Sequence, residues 1–533
     1  MTTTNRKIAN VSAILIAASV LGHVFSLGKE MVVAKFFGID AGMDAYNAAL
    51  SVSNFIGNIV QSTLFVVFIP AYIKIKSKDQ QKADRVISSL SNWFIGIMAV
   101  MAALIAVLSG PIMNTGFHGL PQEVRLLGVK LLVLGSCSLF LYSLVNLATG
   151  ILNAREHFVW PAFSQMFITA LTIALVVLFA DSLGVFTLAY GLIAGLALQA
   201  AALFIVLRRL GFRYSFTLDW RDPEIMQTFK LSCVFLVAVV AGQANLMVDQ
   251  MMTSYLPPGS VAVLGYATKF IQAPLLIFSI PLATAIFPYF VNQVSKQQYD
   301  ELKYSLARSI RMAGFIFLPM TVLIMLFARP ALELFFQYGK FDTRATELIA
   351  LTVGCYSLQL VFITGVAIIH RVFFAMQGIW VLVKVSIVTV ALNAALNYLF
   401  IKTVTPPVAG IALSTSVMYA VSFGLLYYIL GKRLGGLPGR YIAKGLGGVA
   451  AIALVMGVFA HFAYAFAERL WPPVSVLGRA CLLAGPILLS LLLLAGLARF
   501  FKFDEYDSLI VMLKEKAAPF FGAPAAPRPG APV

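Results

Sequence analysis

Charged side chains stand inside stretches of this sequence that are otherwise apolar enough to cross a membrane. The clearest is Lys269, in GYATKFIQAPLL, which lies ten residues past the Gly259 turn. At about 1.5 Å per residue that spacing places Lys269 near the middle of a bilayer, where an ion costs roughly 2.5–3.5 kcal/mol. Gln272 lies on the same helical face, and Pro274 predicts a bend. We expect this face to line a polar, partly cationic cavity; a structural ion pair between Lys269 and Asp249 of the preceding span is the alternative.

A second set of polar residues ends the first apolar run, in HVFSLGKE. His23, Ser26 and Glu30 follow i, i+3, i+7 spacing and share one helix face, with Lys29 beside them. Such a stripe is typical of a helix that lines a cavity. The alternative is that Lys29 and Glu30 lie at the membrane surface while Lys35 extends toward it.

Two further spans are too polar to face lipid along their whole length. The seventh span contains GQANLMVDQ, with Gln243, Asn245 and Asp249. Polar residues of the second span are Asp44, Asn47, Ser51, Ser53, Asn54, Asn58, Gln61, Ser62 and Thr63. The sequence therefore predicts that the first, second, seventh and eighth spans turn their polar faces toward one shared cavity.

Residue patterns for catalysis or metal binding are absent from the sequence. It has no HExxH, no nucleophile elbow and no pair of acids beside a histidine. Each cysteine lies in an apolar run without metal-ligand spacing and is expected to be a small core residue; these are Cys137, Cys233, Cys355 and Cys481. We expect neither an enzyme nor a resident metal or cofactor.

Composition identifies the elements that must position these residues. The 533 residues are 60% hydrophobic and 11% charged, whereas a soluble domain carries roughly 25% charged residues. Apolar runs of about 20 residues, enough to cross a bilayer, recur throughout, which predicts an all-α polytopic membrane protein. We count fourteen spans, at about 8–36, 44–73, 88–113, 126–153, 159–181, 184–207, 229–256, 260–294, 306–328, 345–374, 380–401, 406–431, 441–467 and 475–501.

The net charge of +17 has an origin in this topology. Lys and Arg concentrate in alternate loops, as they do in cytoplasmic loops of membrane proteins. The alternation stays in phase along the chain, which predicts fourteen spans with both termini in the cytoplasm. It also makes a nucleic-acid partner an unnecessary explanation of the charge.

A weak internal repeat divides the chain. AKFFGIDAGMDAY ends at Tyr46 and SYLPPGSVAVLGY at Tyr266, while LNAREHFVW ends at Trp160 and FFAMQGIW at Trp380. Six spans separate the members of each pair, which predicts two six-helix halves with a site at their interface; chance similarity of apolar segments is the alternative. The expected regions are an N-lobe (1–225), a C-lobe (226–435), two C-terminal helices (436–510) and a Pro/Ala/Gly-rich cytoplasmic tail, expected to be disordered (511–533).

Seven segments follow one another along the chain in a characteristic order: GKEMVVAKFFG with MDAY, GILNAREHFVWPAF, QANLMVDQMMTSYLPPGSVAVLGYATKFIQAP, PLATAIFP, LFFQYGKFD, RVFFAMQGIWVLVKVSIVTVALNAALNYLF and GIALSTS. Taken together they resemble the MurJ/MviN family of fourteen-helix lipid II flippases, which belongs to the multidrug, oligosaccharidyl-lipid and polysaccharide exporter superfamily. The resemblance covers most of residues 8–435 and rests on their order and spacing.

The resemblance implies a V-shaped protein with two lobes around a central cationic cavity. The cavity would receive the diphosphate and sugars of an undecaprenyl-linked precursor, and the last two helices would form a groove for its lipid tail. Alternating access would move the headgroup to the outer leaflet for peptidoglycan synthesis. The implied location is the bacterial inner membrane, and we expect a monomer.

The resemblance also assigns roles to residues. Lys29 and Lys269 occupy positions where the family has arginines, and Asp44 matches the acidic residue that opens span two. The expected substrate-binding residues are Lys29, Lys269, His23, Asn54, Gln272 and Asn245. The expected coupling or gating residues are Glu30, Asp44 and Asp249, acting through a cation or the membrane potential.

This chain departs from the family pattern in ways that lower the charge of the cavity. His23 stands where arginine is common, Gly57 and Asn58 replace an arginine-containing pair, Gln272 replaces an acid, and MQGIWVLVK lacks the usual GDTRTP-like turn. Lysine neutralises phosphate as a point charge but lacks the two-pronged geometry of arginine. The main alternative is therefore a flippase whose cargo is another polyprenyl-linked saccharide.

Two other classes of membrane protein are alternatives to a flippase. A cation-coupled amphiphile or drug antiporter shares the fold, but it would need cavity carboxylates and a more apolar pocket, and Lys269 argues against it. A membrane glycosyltransferase or ligase would normally carry an acidic or histidine-bearing external loop, whereas the outer loops here are short and nearly featureless.

Overall fold

The fold is helical throughout the part of the chain that can be described. The computed structural model describes residues 21–63, 75, 80–155, 157–212, 214–219, 223–471, 475–507 and 510, and none of these residues is in a β-strand. The helices that position the site are α1 (21–37), α2 (Ala41–Thr63), α3 (Gln80–Gly116), α4 (Gln122–Ala154), α5 (Val159–Ser164), α6 (Met166–Leu183), α7 (Phe186–Arg209), α8 (Pro223–Thr253), α9 (Ser260–Pro274), α10 (Ile280–Ser295), α11 (Tyr299–Phe335), α12 (Thr343–Ser357), α13 (Gln359–Ala375), α14 (Ile379–Thr403), α15 (Pro407–Leu434), α16 (Gly439–Leu470) and α17 (Val476–Phe500).

The membrane-spanning helices confirm the predicted class and most of the predicted spans. Ten helical stretches of the described residues are long and apolar enough to cross a membrane, and the pair α12 and α13, which meet at a bend of 40°, makes an eleventh. They correspond to predicted spans three to six and eight to fourteen. The other three predicted spans contain α1, α2 and α8, which carry the polar residues singled out above. Parts of the first two, residues 8–20 and 64–73, lie outside the described residues, so the count of fourteen stays a prediction.

An irregular turn follows Pro274, where the sequence predicts a bend. A π-helical segment, Leu275–Ser279, joins α9 to α10 within one helical stretch, Ser260–Ser295. Proline lacks the N–H that would continue the regular hydrogen-bond ladder, and a widened turn is one way for a helix to accommodate it.

The buried apolar residues show that the two halves share a core at one end of the bundle only. One cluster joins residues of α1 and α2 to residues of α9, α11 and α12. At the other end, one cluster contains only residues between 75 and 207 and another only residues between 290 and 442. Two halves that pack together at one end and have separate cores at the other form a V. We call the shared end the lobe-contact end and the other the opposite end.

Backbone segments from both halves touch directly at the lobe-contact end. The N–H of Lys340 donates to the carbonyl of Lys35 at 3.0 Å. Gly38 (φ +60°) and Gly339 (φ +64°) lie beside these two residues. A Cβ on Gly38 would overlap the carbonyl oxygen of Lys340, and a Cβ on Gly339 would overlap that of Lys35. Glycine is therefore required here both by the left-handed backbone and by the close approach of the two halves.

The paired aromatic residues of the internal repeat occupy equivalent places in the fold. Trp160 and Trp380 are each the second residue of a helix, α5 and α14, at the opposite end, and both are exposed. Tyr46 and Tyr266 each lie in the second turn of a helix, α2 and α9, at the lobe-contact end. The exact region boundaries given above stay predictions, and the tail predicted to be disordered, 511–533, lies outside the described residues.

Candidate functional site

Three charged residues meet where the two halves face each other. Lys29 Nζ lies 3.0 Å from Glu30 Oε1, and Lys269 Nζ lies 2.7 Å from Glu30 Oε2. Glu30 is 8% exposed, and a carboxylate at that burial requires paired charges and hydrogen bonds. Lys29 and Glu30 belong to α1 and Lys269 to α9, so the cluster carries one net positive charge and joins the two halves.

The alternative ion pair between Lys269 and Asp249 is wrong. Lys269 pairs with Glu30 and also lies over the ring of Tyr266, with 5.5 Å between Nζ and the ring centroid. Asp249 accepts its hydrogen bonds from neutral side chains. Because Glu30 reaches a residue on α9, the charged stretch of α1 faces a neighbouring helix.

A polar cavity of about 180 Å³ lies beside Lys269. Helices α2, α8, α9 and α12 line it, and the predicted polar faces of the second, seventh and eighth spans do meet there. Its polar lining residues are Asn47, Ser51, Asn54, Asn58, Gln243, Asp249, Gln250, Thr268, Lys269, Gln272 and Tyr356. Pockets that enclose a drug-sized ligand are typically about 300–1,000 Å³, so a lipid-linked saccharide head would enter only if α2 moved away from α8 and α9.

Asp44 caps the first turn of α9 from the other half of the protein. Its carboxylate accepts from the backbone N–H groups of Gly259 at 2.5 Å and Ala262 at 2.8 Å, and it is 2% exposed. Backbone N–H groups at a helix start lack partners within the helix, and a negative charge there is stabilised by the helix dipole. Asp44 therefore belongs to the lobe-contact end and is not among the residues that line the cavity.

Asp249 is the acceptor in a second polar cluster, which joins α8 to α14 and α15. Its carboxylate accepts from Asn393 Nδ2 at 2.7 Å, Asn397 Nδ2 at 2.8 Å and Thr415 Oγ1 at 2.8 Å. Asp249 is 1% exposed, and Asn393 and Asn397 are fully buried. Ser414 donates to Asn397 Oδ1, whereas the buried Asn393 Oδ1 has no hydrogen-bond partner.

The Asp249 cluster was missed in part by sequence reasoning. Asp249 was singled out, but its partners were not. The available signal was the pair Asn393 and Asn397, spaced i, i+4 in an otherwise apolar span, because that spacing places both amides on one helix face. No group of three or more His, Cys, Asp or Glu residues that could hold a metal ion occurs among the described residues.

The remaining predicted site residues lie in different places. Asn54 and Gln272 line the cavity and are exposed to it. Asn245 is buried, its Oδ1 has no hydrogen-bond partner, and it is not among the lining residues. His23 and Lys29 lie on α1 and are not among the lining residues; Lys29 pairs with Glu30, which in turn pairs with the lining residue Lys269. Whether any of them contacts cargo stays a prediction.

A separate groove runs between α11, α16 and α17, where the resemblance implies a site for the lipid tail. It encloses about 750 Å³, and its apolar lining includes Ile452, Val455 and Leu497. At its opposite-end mouth Arg311 pairs with Glu505. The guanidinium of Arg311 also lies over the ring of Tyr441, 4.1 Å from its centroid.

Comparisons of the sequence with known proteins lead to one family. A family model described as "Lipid II flippase MurJ" matches residues 33–481. The chain is 25% identical over 489 residues to a probable lipid II flippase MurJ of Synechocystis sp., covering 88% of this chain and 90% of that protein. It is 25% identical over 426 residues to a lipid II flippase MurJ of Burkholderia cenocepacia, covering 78% and 82%.

Solved structures show the same fold. A lipid II flippase MurJ in an inward closed conformation has a TM-score of 0.76 at 21% identity, covering 93% of this chain and all of that chain. An inward-facing transporter of the multidrug resistance MATE family has a TM-score of 0.63 at 15% identity, covering 79% and 98%. Since the family model spans most of the sequence, this chain belongs to the lipid II flippase MurJ family.

Proposed function

We propose that this protein is a flippase that moves an undecaprenyl-diphosphate-linked saccharide, lipid II or a closely related precursor, from the cytoplasmic to the outer leaflet by alternating access. It is a transporter and not an enzyme. The observation that carries the proposal is the Lys29–Glu30–Lys269 cluster beside a polar cavity between two lobes. The lysines suit a diphosphate, and the amides that line the cavity suit sugar hydroxyl groups.

The cargo would compete with Glu30 for the two lysines. Lys269 has one carboxylate partner here, and a diphosphate brings more negative charge than Glu30 supplies. Lysine bonds to a carboxylate and to a phosphate are both charge-assisted, so the larger negative charge of the diphosphate is what favours the exchange. Because the bond between Glu30 and Lys269 joins α1 to α9, its exchange for a bond to cargo would loosen one link between the lobes.

Exit of the cargo requires the lobe-contact end to separate. The Asp44 cap on α9 and the backbone hydrogen bond between Lys340 and Lys35 would both break in that step. We assign the lobe-contact end to the outer face of the bacterial inner membrane and both termini to the cytoplasm. The alternation of Lys and Arg among the loops supports this orientation.

Asp249 is the group that we assign to energy coupling. A buried carboxylate surrounded by two amides and a hydroxyl offers only oxygen ligands to a cation once the amides turn their oxygens inward. The cluster has a single carboxylate, so a monovalent cation or a proton matches its charge better than a divalent ion. Filling the site would hold α8, α14 and α15 together.

The groove between α11, α16 and α17 would hold the isoprenoid tail. Its apolar walls match an uncharged hydrocarbon chain, and α11 of the C-lobe forms one of these walls. A lipid could therefore place its tail in the groove while its head occupies the cavity. We expect the protein to act as a monomer with the membrane and the lipid-linked saccharide as its partners.

Complementation tests this proposal. In cells depleted of their own lipid II flippase, the wild-type protein should restore growth and Lys269→Ala should not, at equal amounts of membrane protein. Lys303→Ala, which removes a partly buried lysine paired with the exposed Asp300 within one helix turn, is the matched control and should restore growth. Failure of the wild-type protein to restore growth would remove lipid II as cargo, and binding of labelled lipid-linked saccharides would then test the related precursor.

A further inference from the structure

The linker between the two lobes contains an extended segment with two chemically different sides. Tyr214, Phe216 and Leu218 leave 53%, 78% and 50% of their surface exposed, although the hydroxyl of Tyr214 turns back toward α3. Ser215 and Thr217, which alternate with them, are half-buried against the protein. Alternation of this kind is produced by an extended chain that lies on a surface.

Side chains of α3 hold the backbone of this segment in place. Asn92 Nδ2 donates to the carbonyls of Ser215 at 3.3 Å and Thr217 at 3.0 Å, and the Tyr214 hydroxyl donates to Asn92 Oδ1. The backbone N–H of Ser215 donates to Ser88 Oγ at 3.3 Å. The segment is therefore bound by specific hydrogen bonds and is part of the N-lobe surface.

The start of the linker is fixed as well. Arg155, at the end of α4, bonds both carboxylate oxygens of Asp84 at 2.9 and 3.0 Å and donates to the carbonyl of Leu210 at 3.1 Å. Its guanidinium lies over Phe212, 5.3 Å from the ring centroid. Further along, the N–H of Asp219 donates to the fully buried Ser89 Oγ at 3.0 Å. Contacts to α3 and α4 thus extend from residue 210 to residue 219.

We infer that Tyr214, Phe216 and Leu218 form an anchor that inserts into the headgroup region of an anionic bilayer. The segment lies at the right depth, because Ser88, Ser89 and Asn92 belong to the membrane-spanning stretch Asp84–Gly116. Aromatic residues concentrate at membrane interfaces. Exposed Arg208 and Arg209 end the preceding span, α7, and complement anionic headgroups.

The anchor ties one lobe to the membrane surface. Since the hydrogen bonds of the segment go to Ser88, Ser89 and Asn92 of α3 and to Arg155 at the end of α4, it would move with the N-lobe when the lobes rock. Under the proposed orientation the surface is the cytoplasmic leaflet, but the inference does not depend on which cargo is carried.

Spin-label accessibility tests the anchor. In a cysteine-free protein reconstituted in anionic nanodiscs, single labels replace Phe216, Leu218 and Lys296, the last in an exposed turn at the same end. Labels at 216 and 218 should collide more with oxygen, which concentrates in lipid, than with a water-soluble nickel complex. The label at 296 should show the reverse ratio. A label at 216 that behaves like the one at 296 would overturn the inference and leave a water-exposed or protein-binding surface.

A second variant tests the hydrogen-bonded attachment. Asn92→Leu keeps the branched shape of the side chain and removes the three hydrogen bonds that Asn92 makes with the segment. The difference between labels at the outward position 216 and the inward position 217 should then disappear. If that difference persists, α3 does not hold the segment in register and this part of the inference is wrong.

Discussion

The charge cluster between the lobes can be tested with Glu30→Gln. This substitution keeps the shape of the side chain and removes the charge that both Lys29 and Lys269 contact, at 3.0 and 2.7 Å. Glutamine can still accept one hydrogen bond, but the two lysines then face each other without a neutralising carboxylate. We expect α1 and α9, and with them the two lobes, to separate more easily.

The size of the effect follows from burial. Removing one partner of a fully buried ion pair costs about 3–5 kcal/mol. The Lys269 side chain is 33% exposed, so solvent screening reduces that cost. We expect about 1–2 kcal/mol, which is a shift of about 5- to 30-fold in the equilibrium between closed and separated lobe-contact ends.

Double electron–electron resonance would measure this shift. Spin labels at Asp181 in the N-lobe and Arg344 in the C-lobe, both exposed at the lobe-contact end, report the distance between the lobes in a cysteine-free background. Glu30→Gln should increase the population at longer distance. Glu333→Gln, which removes an exposed i, i+4 ion pair with Arg329 at 2.9 Å, is the matched control and should leave the distances unchanged. Identical distance distributions in Glu30→Gln and wild type would refute the reasoning.

Three further substitutions give distinct results. Asp44→Ala removes the acceptor for two backbone N–H groups at the start of α9 and should lower the free energy of unfolding by about 1–2 kcal/mol, and Asp44→Asn should lower it by less. Equal melting temperatures of Asp44→Ala and wild type would contradict this. Asp249→Asn should abolish any stabilisation of the folded protein by sodium or lithium. At an ion concentration of 100 times the Kd, that stabilisation is about 2.7 kcal/mol. A wild-type melting temperature that does not respond to these ions would contradict a metal cation as the coupling ion. Gly38→Ala places a methyl group against the carbonyl of Lys340 at a backbone φ of +60° and should lengthen the distance between labels at 181 and 344; an unchanged distance would show that this contact does not hold the lobes together.

The polar faces could be predicted from the sequence because the free energy of placing a side chain inside a bilayer depends strongly on its residue type. Lys269 and Gln272 were identified from depth and helical spacing alone, and both line the cavity. The partner of Lys269 was harder to identify, because Glu30 lies 239 positions away and Asp249, on the adjacent span, is nearer in sequence. Which of two carboxylates reaches a lysine depends on how the helices rotate and cross, and periodicity within a helix does not determine that.

The roles of the other two acids also depended on tertiary structure. Asp44 was expected to gate or couple, and its position at the start of α2 gave no sign that it caps α9 in the other lobe. In the sequence, Asn393 and Asn397 are two amides in an apolar run, and only the structure shows that both donate to Asp249. Asn245 lies one helical turn before Asp249 on nearly the same face of α8, yet it is buried and not among the lining residues, so helical spacing alone did not determine which polar residues of the span line the cavity.

Equilibrium binding to the purified protein tests the central claim most directly, that lysines between the lobes hold an anionic lipid head. The ligands are a labelled polyprenyl-diphosphate saccharide and the same saccharide lipid without the diphosphate. The wild-type protein should bind the diphosphate form more tightly, and Lys269→Gln should lose about 10- to 100-fold of that affinity, the equivalent of one charge-assisted hydrogen bond of about 1.5–3 kcal/mol. Equal affinity for the two ligands, or no loss in Lys269→Gln, would contradict the account.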